Sequence, residues 1–87
     1  MKTKISIFLI LFFVTTAAFS VDIVNKDSQS YRIIYNDAGT EHNEILNAGK
    51  KNSSICGECD VYIQGIGTVH AAGSEKIVIQ NGKAKVE

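Results

Sequence analysis

The 87-residue chain has no tryptophan or proline, one methionine and two cysteines. With no third thiol, only one disulfide connectivity is possible, and with no second Cys-x-x-Cys there is no four-thiolate zinc site. No Arg/Lys cluster is present, which removes the electrostatic basis for binding nucleic acid. Lys50-Lys51 is a lone pair and reads as a solvated turn. No stretch carries a sustained helical period of apolar residues. A membrane-spanning helix needs about 20 mostly apolar residues. The one apolar run, Ile5 to Phe19, falls short of that, and Asp22 follows closely.

That run has the form of a secretory signal peptide over residues 1–20. Lys2 and Lys4 form a positive start, Ile5 to Val14 is apolar except for Ser6, and Ala18 and Ser20 suit a cleavage site before Val21. The competing reading is an uncleaved membrane anchor, for which the run is too short. No cysteine follows it to accept a lipid. Cleavage would remove all four phenylalanines (Phe8, Phe12, Phe13, Phe19) and Met1, leaving Tyr31, Tyr35 and Tyr62 as the aromatics besides histidine. Nine basic residues less Lys2 and Lys4 leaves seven against nine acidic ones, a net of −2. The remaining residues 21–87 are enough for one small domain, with a net stability of roughly 3–10 kcal/mol. The expected location is periplasmic or secreted, with no membrane span after cleavage.

What fills this domain is valine, isoleucine and glycine. Its only leucine is Leu46. β-Branched side chains are stiff at χ1 and fit a pleated surface. Short runs of them between turn residues predict an all-β fold, a small antiparallel β-sandwich or open barrel of about six to eight strands. The expected strands are Val21 to Asn25, Tyr31 to Asn36, Glu41 to Asn47, Ser53 to Cys56, Cys59 to Gln64, Thr68 to Ala71, Glu75 to Gln80 and Lys83 to Val86. Asp37-Ala38-Gly39-Thr40 and Ala48-Gly49-Lys50 read as turns, and Gly65 and Gly67 as a bulge or tight turn. Asn81-Gly82 is the preferred pair for a type I′ hairpin turn. It opposes Gln80 to Lys83, Ile79 to Ala84, Val78 to Lys85 and Ile77 to Val86, which sorts the apolar residues onto one face.

Cys56-Gly57-Glu58-Cys59 is the one place where chemistry is legible, and three readings compete. In the first, Gly57-Glu58 makes a type II′ turn that sets the cysteines opposite each other, about 5.5 Å apart at Cα and within reach of a disulfide. Export favours this reading, because disulfides persist outside the cytosol. In the second, Cys56 and Cys59 hold a soft metal ion, Cu(I) or Zn(II), with His42 and His70 the obvious further ligands. In the third they are a redox dithiol, without the helix N-terminus, tryptophan or proline that accompany thioredoxin-like sites. A c-type haem is excluded because Asp60, not histidine, follows Cys59.

The other candidates carry less. Gly65-Ile66-Gly67-Thr68-Val69-His70 begins like a dinucleotide fingerprint, but its third glycine is His70 and the chain is too short for that fold. Asn52-Ser53-Ser54 matches a glycosylation sequon. Asp37, Glu41 and Glu44 read as a solvated turn and strand face rather than a calcium site. No Ser-His-Asp arrangement is present. Tyr31 and Tyr35 read as the largest core residues rather than an exposed binding stripe.

Asn25-Lys26-Asp27, the tyrosine strand Tyr31 to Tyr35, the central Cys56 to Cys59 and the ending Ile79 to Lys83 together resemble short exported bacterial β proteins of unassigned function. The resemblance covers most of the chain after the signal and implies a compact β domain. It implies no activity. The expectation is a non-enzymatic binding or structural module without a cofactor, stapled by Cys56–Cys59. Its partner would be a protein or cell-surface component, or a second copy met through edge strands. The alternative is a periplasmic metal-binding protein using Cys56 and Cys59.

Overall fold

A computed structural model describes residues 20–87, and the expected signal segment lies outside them except for Ser20. The described chain is a β-sandwich of eight strands: β1 (Val21–Asn25), β2 (Tyr31–Asp37), β3 (Thr40–Leu46), β4 (Lys51–Cys56), β5 (Glu58–Ile63), β6 (Gly67–Ala72), β7 (Lys76–Gln80) and β8 (Lys83–Val86). Sheet A has the order β4-β1-β7-β8, and sheet B the order β3-β2-β5-β6.

Sheet B is antiparallel throughout. Sheet A is mixed, because β1 lies parallel to β7, with Ile23 opposite Ile77 and Val24 opposite Val78. The first strand is thereby locked beside a strand from the end of the chain. The β7–β8 hairpin has the predicted register from Gln80–Lys83 to Ile77–Val86. Asn81 at φ 56° and Gly82 at φ 72° supply its left-handed turn.

Alternation along the strands makes the core. Val21 and Ile23 of β1, Ile33 of β2, Val61 and Ile63 of β5, and Ile77 and Ile79 of β7 are fully buried. Each contributes about 1.5–3 kcal/mol of apolar burial. Tyr31, Tyr35 and Leu46 fill the space that phenylalanine or tryptophan would otherwise take, and all three are buried. Strand β4 breaks the alternation. Val21 opposes Cys56 but Ile23 opposes Asn52, so β4 carries extra residues there, with Ser54 at φ 57°. This bulge turns both Ile55 and Cys56 inward, although they are adjacent in sequence.

Candidate functional site

Cys56 ends β4 in sheet A, and Cys59 lies in β5 of sheet B. The expected type II′ hairpin is therefore not formed. Cys56 faces Val21 and Cys59 faces Ala71 across their respective ladders. Gly57 has no positive φ, which a II′ turn demands at that position. It crosses between the sheets instead, and its carbonyl accepts from Gly73 N at 2.9 Å. The sulfurs are nevertheless within bonding distance, at 2.03 Å, with the Cα atoms 6.2 Å apart. Both cysteines belong to the core, 4% and 7% exposed. The pair is thus a covalent corner joining the two sheets.

The histidines lie elsewhere. His70, on β6, stands on the outer face of sheet B between two carboxylates of β5. Its Nδ1 is 2.7 Å from Asp60 Oδ1, and its Nε2 is 3.1 Å from Glu58 Oε2. The ladder sets Asp60 opposite His70, while Cys59 between the two acids points to the core. A carboxylate at each ring nitrogen favours the imidazolium, which alone donates from both. The Asp60 hydrogen bond is the largest cause raising the His70 pKa above its ordinary value, opposed by desolvation and aided by Glu58. His42 stacks on Tyr35, with ring centroids 4.9 Å apart and planes 14° apart. Among the described residues no group of three or more His, Cys, Asp or Glu is arranged to hold a metal ion.

Beyond the cysteines, the short motifs of the sequence serve to tie loops together. Asn25 is fully buried at the end of β1. Its amide donates to the carbonyls of Gln29 (2.8 Å), Leu46 (3.1 Å) and Asn47 (3.3 Å), and its oxygen accepts from Asp27 N at 2.9 Å. The Asp27 carboxylate accepts from Tyr31 OH at 2.7 Å, Asn81 N at 2.6 Å and Gly82 N at 3.0 Å. The Asn-Lys-Asp run, the tyrosine strand and the Asn-Gly turn therefore meet in one polar knot at one end of the sandwich. The Tyr31 bond is the largest cause holding the Asp27 carboxyl below its ordinary value, and the same bond raises the Tyr31 hydroxyl.

Two further expectations resolve on this geometry. Gln64-Gly65-Ile66 is the β5–β6 turn, closed by Ile66 N donating to Ile63 O at 2.9 Å, and Gly67 opens β6 rather than a helix. Glu44, expected on a solvated strand face, turns inward. It accepts from the Asn52 side-chain amide and, at 3.5 Å, from Tyr35 OH. Glu41 is exposed on β3 as expected.

Comparison of the chain with known protein families, curated proteins and solved structures gives no match.

Proposed function

We propose that the protein is an exported, non-catalytic binding or structural module that acts through its surface, with Cys56 and Cys59 as an internal staple. The observation that carries this reading is the position of the cysteine pair. The one constellation with legible chemistry sits in the core, bridging two sheets, with each histidine engaged elsewhere. The outer face of sheet A carries Lys51, Lys76, Lys83 and Lys85 against Asp22, and that of sheet B carries Glu41, Glu58 and Asp60 against Arg32 and His70, so sheet A is the more positive. Among the described residues no helix is long and apolar enough to cross a membrane. A periplasmic or secreted location accords with the oxidised pair.

The test is the intact mass of protein recovered from cells, before and after reduction and thiol alkylation, with bound metal quantified. A disulfide predicts alkylation only after reduction and no stoichiometric metal. Free thiols with stoichiometric copper or zinc would make the protein a metal carrier and overturn the proposal. So would a catalytic activity abolished by replacing one side chain.

A further inference from the structure

The four sheet edges are not equivalent. Strand β8 is short and carries Lys83 and Lys85 outward. Strand β4 is bulged at Ser54, whose N–H is taken by the Asp22 carboxylate at 2.8 Å. Strand β6 runs beside β8 and begins at Gly67 with φ 129°. Its Ala72 N–H is capped by Glu75 Oε1 at 2.9 Å. Lysines, bulges, short length and covering neighbours are the devices that stop an edge from pairing with another chain. Strand β3 has no lysine, bulge or, among the described residues, covering strand and is not short; its charges are Glu41, facing outward, and Glu44, whose carboxylate is already bonded to Asn52 and Tyr35. It is seven residues long, pairs with β2 along its whole length without a register shift, and lacks lysine. Ile45 on it is 48% exposed, and no other strand among the described residues lies on its outer side.

The backbone groups on that side can be assigned. Ala38 at φ 51° and Gly39 at φ 89° make a two-residue turn closed by Asp37 and Thr40. The closing pair of such a hairpin exchanges both backbone bonds, and the pattern alternates from there. Thr40, His42, Glu44 and Leu46 therefore bond to β2, while Glu41, Asn43 and Ile45 turn N–H and C=O outward.

We propose that β3 pairs antiparallel with β3 of a second copy, about a two-fold axis at Asn43, to form one continuous eight-stranded sheet. This rests on the surface-acting reading above and names its partner. Keeping inward faces inward allows register changes only in steps of two residues. The Asn43-centred register opposes Thr40 to Leu46, Glu41 to Ile45, His42 to Glu44, and Asn43 to itself. No like charges meet, an imidazole stands beside a carboxylate, and the three outward-turned residues of each copy form about six backbone hydrogen bonds. Centring on Glu44 opposes that carboxylate to itself. Centring on His42 opposes two imidazoles. Both alternatives shorten the ladder. Such a contact is small and belongs to the weak, reversible class.

The experiment combines sedimentation equilibrium with register-specific cross-linking. The protein is expected to approach dimer mass near ~1 mM and to be monomeric near ~1 µM. Ile45→Glu sets a carboxylate opposite Glu41 of the second copy while facing Arg32 of its own chain, and should weaken self-association about tenfold without lowering the melting temperature. In a glutathione redox buffer, Asn43→Cys should form an intermolecular disulfide, its Cα atoms lying about 5.5 Å apart across the axis. Glu41→Cys should not, its copies being separated by about 14 Å along the strands. Wild-type protein that stays monomeric throughout, with no Asn43→Cys cross-link, overturns the proposal. So does a dimer indifferent to Ile45→Glu, or one that Glu41→Cys cross-links instead. Neither result touches the surface-acting reading, which stands or falls on the thiol, metal and activity measurements.

Discussion

At the scale of single residues, two ionisable groups, Asp27 partly buried and His70 exposed, give the domain opposite pH responses. Asp27 is held below its ordinary pKa by Tyr31 and the Asn81-Gly82 backbone. Its contribution is present above the unfolded carboxyl value of about 3.9 and is lost as pH falls through the depressed folded value. Asp27→Asn should therefore lower the melting temperature at pH 7, and the gap to wild type should close in acid. Thermal melts between pH 2 and 7 check this, and a gap that persists unchanged at the lowest pH contradicts it. His70 runs the other way, because Asp60 and Glu58 raise its pKa. Its contribution is complete below about 6.5 and disappears as pH rises through the raised folded value. His70→Gln should differ from wild type at pH 5 and match it in alkali. Asn25 is the costlier loss. Its side chain is fully buried, and Asn25→Ala leaves the buried Leu46 carbonyl and three part-buried groups without this partner, at about 1–3 kcal/mol by chemical denaturation.

At the scale of elements, what can be read from sequence divides along local and non-local pairing. The β7–β8 hairpin is legible because its turn residues, register and apolar face are all set within one short segment. Tyr31, Ile33 and Tyr35 alternate onto the buried face of β2 for the same reason. Strand β1 is recognisable as a strand, but its parallel partner β7 lies at the other end of the chain and no turn joins them. The cysteine crossover escapes a local reading for a related reason. Cys-x-x-Cys between two strand-forming runs looks like a hairpin, and only the bulge in β4 and the separate sheets show that the turn is a corner. The polar knot appears in the sequence only as separate motifs, because its members Asn25, Asp27, Tyr31 and Asn81 meet only in three dimensions. The corner also has a measurable strength. Closing so short a loop contributes about 2 kcal/mol by the chain-entropy relation. Replacing Cys56 and Cys59 together by alanine should cost at least that much, with the lost core packing added. A double variant as stable as wild type in denaturant titrations would show that the staple is dispensable.

At the scale of the whole molecule, the two sheets differ in how much chain each needs. Sheet B consists of two stretches, β2–β3 and β5–β6, each closed by its own turn. Sheet A has only one such hairpin, at the far end, and its β1 pairs with β4 and β7, both later in the sequence. Loop closure makes those distant pairings the slower ones. Pulsed hydrogen exchange during refolding should therefore protect Ile33 and Val61 before Ile23, and early protection of Ile23 would contradict the order. For a chain delivered from its N-terminus, the parallel β1–β7 pair acts as a timer. The first strand can pair with β4 once Lys51–Cys56 has emerged, but its parallel neighbour arrives only with Lys76–Gln80, so sheet A is complete only when the far end of the sequence is in place.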